Sequence, residues 1–189
     1  MEDLARKNCD LTRTTSVASL FLSRIDTVVD TLLEEGIQKG HEQLKFLRGR
    51  AGVATAKLAY QAYKDDFSND KFTKLKERGA HTQRLLWAST SAKNPAYSDL
   101  LYVEPLIGPD TINTMPPGTI IAFLEHGEVK ATLEENLQEA RSTFVELKVA
   151  GISMESVTES LLAKGVKAFI DSYDTLLNGI EEKSSLLLR

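Results

Sequence analysis

Two short blocks hold the residues best suited to chemistry. In the first, residues 16–22 form an apolar run interrupted by Ser19 and ending in Phe21 and Leu22, with Arg24 just beyond. In the second, Leu85-Leu86-Trp87-Ala88 runs into Ser89-Thr90-Ser91-Ala92-Lys93-Asn94-Pro95. Each apolar run stops abruptly at hydroxyls and one cation, with helix-like sequence further on. In α/β proteins such junctions gather at one face of the sheet or barrel, where substrates bind. A guanidinium at a helix start offers a bidentate fork beside free N–H groups. A hydroxyl-rich loop with one lysine suits phosphate oxygens. Arg24 and Lys93, presented from equivalent positions, could therefore bridge a single anionic ligand, and a phosphorylated metabolite is the natural candidate.

Each residue also has an ordinary explanation. Arg24 could pair on the surface with Asp26 or a neighbouring carboxylate, Ser19 could fill a buried hydrogen bond, and Lys93 could be a plain loop lysine. A Schiff-base role for Lys93 would need desolvation to lower its pKa, and its polar neighbours favour the charged, anion-binding form. Trp87, in mid-strand, reads as core. His41, His81 and His126 are scattered, with no Cys, Asp or Glu at ligand spacing, so no metal site is expected. Cys9 lacks a catalytic signature. Neither a P-loop nor a G-x-G-x-x-G fingerprint occurs, and no nucleotide cofactor is expected. Asp65-Asp66 and Glu134-Glu135 read as solvated helix faces.

The elements that must position these residues follow from periodicity. A helix is predicted over residues 2–7, and a strand over 14–22 that is apolar on both faces and so expected to be buried. Ile25, Val28, Val29, Leu32 and Leu33 recur at helical spacing, with Gly36 as the stop. Residues 37–50 are polar and glycine-punctuated and read as a loop or the approach to a helix. Residues 51–67 are rich in helix formers, and Asn69-Asp70 caps a short helix over 71–78 closed by Gly79. A second strand covers 84–88. Helical spacing resumes over 99–106, a short strand fits 111–114, and Pro116-Pro117 opens a helix to Gly127. Thr132-Leu133-Glu134-Glu135 matches a capping box, with Leu133, Leu137, Ala140, Phe144 and Leu147 following at helical intervals. Ser153 caps a helix reaching Lys164, and Val166, Phe169, Ile170, Tyr173, Leu176, Leu177 and Ile180 stripe the last one. Three strands with intervening helices indicate parallel βα units followed by a helical tail. Three such strands are a poor domain alone, because their edges stay open and both faces need cover.

Composition narrows the class. The 189 residues, 42% hydrophobic and 26% charged, suit one folded domain that buries about 70% of its unfolded surface. A net charge of -4 runs against nonspecific nucleic-acid binding but leaves room for a local basic pocket. A lone cysteine excludes an intramolecular disulfide and points to a reducing compartment. No apolar stretch approaches the ~20 residues of a membrane span. Nor does the start of the chain read as a signal or transit peptide.

The stretches SVASLFLSRIDTVVD (16–30), AGVATAKLAYQAYKDDF (51–67) and QRLLWASTSAKNPAYSDLLYVEPLIGPDTINTMP (83–116), with the helical C-terminus, closely resemble transaldolase. The likeness covers essentially the whole chain and is greatest to the bacterial and plant branch. It implies a (β/α)8 TIM barrel, of which this chain is the C-terminal part, with barrel elements over about residues 1–127 and helices over about 128–189. It also implies transfer of a dihydroxyacetone unit between sugar phosphates through a lysine Schiff base, in the non-oxidative pentose phosphate pathway and without a cofactor. Carried across, the family's SxFxxR pattern falls on Ser19, Phe21 and Arg24. The serine and phenylalanine line the substrate site and the arginine holds the phosphate. The seventh-strand motif falls on Trp87 to Lys93, where Ser89 and Lys93 help hold that phosphate.

The likeness begins just before the family's sixth strand. The strand bearing the Schiff-base lysine, and the acidic residues that transfer protons, have no counterpart. The expectation is a phosphate-binding half that is inactive alone, either as part of a longer enzyme or as a module. The partners considered are sugar phosphates and, on the protein side, a second copy of the chain or a complementary barrel half. A degenerate, nonfunctional product is the third reading. As written the chain reads as cytoplasmic, although a lost amino-terminal half would take any plastid transit peptide with it.

Overall fold

The computed structural model describes residues 2–187 and divides into two units, Met1–Ile152 and Ser153–Arg189. The first unit carries three strands, β1 (Ser16–Phe21), β2 (Gln83–Ala88) and β3 (Thr111–Asn113), all parallel in the order β1-β2-β3. Its helices are α1 (Glu2–Arg6), α2 (Leu22–Gln38), α3 (Ala51–Ser68), α4 (Asp70–Glu77), α5 (Pro117–His126) and α6 (Leu137–Val149). The second unit is one helix, α7 (Met154–Leu187). This is the α/β architecture expected of part of a TIM barrel with a helical tail. Three strands do not close a barrel.

Strand pleat divides the sheet into two faces. Ala18 and Leu20 of β1 and Leu85 and Trp87 of β2 point to the helix side. There they meet Leu22, Ala56, Tyr60, Tyr63, Tyr102, Leu106 and Leu133 in the main core. The opposite face carries Val17, Ser19 and Phe21, aligned with Arg84, Leu86 and Ala88. On that side Val17 is 41% exposed and Ser19 is exposed, so β1 is covered on one face rather than both, contrary to its apolar pattern. Among the described residues of the first unit no layer lies over that face, and β1 and β3 are both edge strands.

Local sequence accounts for most boundaries. Asn69 accepts the Phe72 N–H at 2.9 Å and starts α4, as its type and position require. Pro117 opens α5 at a position where its missing N–H costs nothing. Several boundaries differ from expectation. Gly36 does not stop α2, which continues to Gln38, and a 3-10 helix (Glu42–Leu47) interrupts the expected loop. Residues 99–106 form turns and a short 3-10 helix (Glu104–Leu106) instead of an α-helix. The two expected C-terminal helices are one, running through Gly165. It begins after Ser153, whose hydroxyl accepts the Ser156 N–H at 3.3 Å. The stripe from Val166 to Ile180 is exposed along it.

The capping box at Thr132 fails for a reason that lies elsewhere in the chain. The Thr132 hydroxyl donates to the Glu104 carbonyl, and Asn136 adopts a left-handed φ of 55°, so α6 begins only at Leu137. The turn between them is held by Lys57 of α3, a buried lysine whose Nζ donates to the Thr132 and Glu135 carbonyls, both at 2.7 Å. Burial pushes the Lys57 pKa down, while Glu135 and Glu139 oppose that shift. Nearby, Lys64 pairs with Glu134 in a half-exposed contact. Lys57→Met leaves two carbonyls without their charged donor and is expected to lower unfolding free energy by about 2 kcal/mol. Lys64→Met should cost under about 1 kcal/mol. Urea midpoints of the two variants check the contrast.

Candidate functional site

The C-terminal ends of β1 and β2 lie side by side, Phe21 opposite Ala88, and each leads into a polar turn. β1 passes directly into α2, so Arg24 falls in the first helical turn, at the positive end of the helix dipole. Its guanidinium lies 4.5 Å from the centroid of the Phe21 ring, a cation–π stack that orients the fork while leaving it exposed. Ser19 stands two residues before Phe21 on the same uncovered face of β1.

β2 ends at Ala88, and the next residue, Ser89, takes φ = 53°, a left-handed conformation uncommon outside glycine, asparagine and aspartate. That twist turns its carbonyl toward α2, where it accepts the Ser23 N–H at 3.1 Å. Thr90 is fully buried and its hydroxyl donates to the Thr114 carbonyl beyond β3. Lys93 follows in an exposed stretch. It lines a cleft of about 210 Å³ with Ser23, Asp26, Asp30, Asn94, Tyr97 and Tyr102. The two βα junctions meet at the Ser23–Ser89 bond, whereas the cleft that Lys93 lines includes none of Ser19, Phe21, Arg24 or Ser89. Among the described residues neither Arg24 nor Lys93 has a carboxylate partner within 4 Å.

Asp26 does not pair with Arg24. It is 2% exposed, and its carboxylate accepts the Gly52 N–H at 2.9 Å and the Tyr102 hydroxyl at 2.7 Å. One turn later Asp30 repeats the pattern, accepting the Gly49 N–H at 3.0 Å and the Tyr97 hydroxyl at 2.6 Å. These glycines flank the start of α3, whose N-cap residue Arg50 supplies no side-chain cap, so α2 caps α3 across space. Both must be glycine. A Cβ on Gly52 would come within 2.6 Å of Asp26 Oδ2 and 2.9 Å of the Leu22 carbonyl, and one on Gly49 (φ 69°) within 2.9 Å of the Tyr97 ring. Sequence reasoning missed all four side chains of this network. The only signal was two aspartates at helical spacing and two tyrosines, of which only Tyr102 falls in the stretch, 99–106, expected to be helical.

Burial pushes the Asp26 carboxyl up to about 6, against the pull of the Gly52 N–H and the Tyr102 hydroxyl. Burial and the adjacent aspartates drive the Tyr97 and Tyr102 hydroxyls well above the usual phenol range, so both remain donors.

The transaldolase/fructose-6-phosphate aldolase family model matches residues 3–180 of this chain. The chain belongs to that family. A transaldolase of Trichodesmium erythraeum is 43% identical over 190 residues, covering 97% of this chain and 50% of its own length. One from Thiobacillus denitrificans is 50% identical over 173 residues, covering 92% and 47%. One from Mycolicibacterium smegmatis is 45% identical over 173 residues, covering 91% and 46%. The chain thus spans about half the length of these transaldolases. No helix among the described residues is long and apolar enough to cross a membrane.

The raised Asp26 pKa fixes a sign. Between the unfolded value near 3.8 and the folded value near 6, the folded chain holds more protons than the unfolded one. The Asp26 contribution to stability therefore falls as pH rises across that window and is level above it. Asp26→Asn has no such titration. Relative to wild type it should gain stability by about 2–3 kcal/mol between pH 4 and pH 6.5. Urea unfolding of both proteins at stepped pH reads the difference, and a pH-independent gap would contradict the assignment.

Proposed function

We propose that this chain supplies the phosphate-holding end of a transaldolase site, with Arg24 and Lys93 clasping the phosphate of a sugar phosphate. Ser89 adds a hydroxyl to that grip, and Ser19 and Phe21 line the sugar. The observation that carries this reading is that two unpaired cations follow adjacent parallel strands at the same end of the sheet. One of them sits in a helix's first turn. Family membership supplies the chemistry: transfer of a dihydroxyacetone unit between sugar phosphates through a lysine Schiff base.

These residues hold the grip but not the nucleophile. Lys57, a buried lysine, sits on a helix with its Nζ occupied by the Thr132 and Glu135 carbonyls. Lys93 is exposed in a loop, without the apolar enclosure that a Schiff-base amine uses. Phosphate binding positions a substrate, and without a covalent step it gives no turnover.

Titration of the chain with fructose 6-phosphate, followed by phosphorus NMR, should show saturable binding. Arg24→Ala and Lys93→Ala should each weaken it about tenfold or more, as loss of a charge-assisted contact implies. Borohydride treatment with the same sugar should trap no adduct by intact mass, and dihydroxyacetone transfer should stay at background. Sugar transfer that survives Lys93→Ala, or unaltered binding in both variants, would overturn the reading.

A further inference from the structure

Ser23, Asp26 and Asp30 fall at intervals of three and four residues, so they form one stripe along α2, the helix that presents Arg24 from its first turn. Each member of the stripe holds the segment that carries Lys93. Ser23 N–H donates to the Ser89 carbonyl at 3.1 Å, Asp26 accepts Tyr102 at 2.7 Å, and Asp30 accepts Tyr97 at 2.6 Å. The three attachment points bracket Lys93, one four residues before it, one four residues after and one nine after. Between them the chain has no α-helix or strand of its own, only turns closed by local bonds such as Ala96 N–H to Asn94 Oδ1 at 3.0 Å. The cleft they enclose is the one Lys93 lines.

The attachments are rigid at the α2 end. Asp26 and Asp30 are each held from a second side by an α3 glycine N–H, so neither carboxylate can swing without uncapping α3. The Tyr97 ring also lies against Gly49, in space that any other residue's Cβ would occupy. A hydrogen bond to a fixed carboxylate is directional and strong. Two of these, together with the Ser23 N–H bond to the Ser89 carbonyl, set the height and rotation of the loop relative to that helix.

We propose that Tyr97 and Tyr102 are positioning residues that fix the spacing between Lys93 and Arg24, so that the two cations meet one phosphate group. The proposal rests on the phosphate-holding reading above and adds what makes it work. An irregular loop carries one half of the grip, and two tyrosine hydroxyls tie it to the helix that carries the other.

The test is a double-mutant cycle on the full chain, titrating inorganic phosphate by phosphorus NMR. Tyr97→Phe keeps the ring against Gly49 and removes only the hydroxyl. It should weaken phosphate binding about fivefold in the wild-type background and less than about twofold when Lys93 is already alanine. Asp30→Asn provides a second way to loosen the same attachment and should show the same non-additivity. Amide hydrogen exchange at residues 90–96 should quicken in both variants while β2 and α3 keep their protection. Equal losses in the two backgrounds would mean a general structural effect and would overturn the positioning role. So would wild-type affinity in Tyr97→Phe, which leaves the phosphate reading intact. A wild-type chain that binds no phosphate would remove that reading and this inference together, a result distinct from the other two.

Discussion

Two carboxylates enter the interior of this protein from one face of α2, and the surrounding segments are arranged to satisfy them. A buried anion left without donors is costly, so the buried Asp26 must find partners within the fold, and the half-buried Asp30 takes the same kind. Asp26 and Asp30 solve this identically, each with one backbone N–H from the start of α3 and one tyrosine hydroxyl from the β2–β3 connection. The solution joins three segments that share no strand pairing. It supplies the N-terminal cap that α3 lacks in its own sequence, and it gives shape to a connection that has no α-helix of its own. The same face of the same helix lines the cleft that Lys93 lines.

Regular elements and the placement of the candidate site were legible in the sequence, whereas the contacts that hold the site were not. All three strands, α3 and the Asn69 cap follow from local pattern, because their causes lie within a few residues of their effects. The polar turns after β1 and β2 were recognisable as a meeting place because parallel strands put their ends together. By contrast, Asp26 and Tyr102 are 76 residues apart and Asp30 and Tyr97 are 67 apart, distances over which spacing carries no information. The capping box misled for the same reason: the Lys57 amine that claims the Thr132 and Glu135 carbonyls lies 75 and 78 residues away. Burial of β1 was overestimated because apolarity on two faces was taken to mean cover on two faces.

That uncovered face bears on the family relationship. Val17, Phe21 and Leu86 have the composition of a barrel interior, and among the described residues of the first unit nothing is packed over them as a layer. A chain that matches about half the length of its transaldolase relatives carries the patterning of a closed barrel in strands that form an open sheet. The helix-side core, with Trp87 fully buried and its indole N–H donating to the Leu106 carbonyl at 3.3 Å, is complete in itself. Stability in the first unit is thus asymmetric across the sheet, concentrated on the side away from Ser19 and Phe21.

The backbone at Ser89 shows a conflict between comfort and chemistry. A left-handed φ penalises any residue with a Cβ by about 1 kcal/mol, and glycine would relieve it. Glycine has no hydroxyl, so relaxing the main chain there would strip a donor from the mouth of the proposed grip. Mutational libraries selected only for thermal endurance should therefore drift toward glycine at this position, whereas libraries selected for ligand capture should keep serine. Position 89 offers a direct gauge of which pressure a given experiment applies.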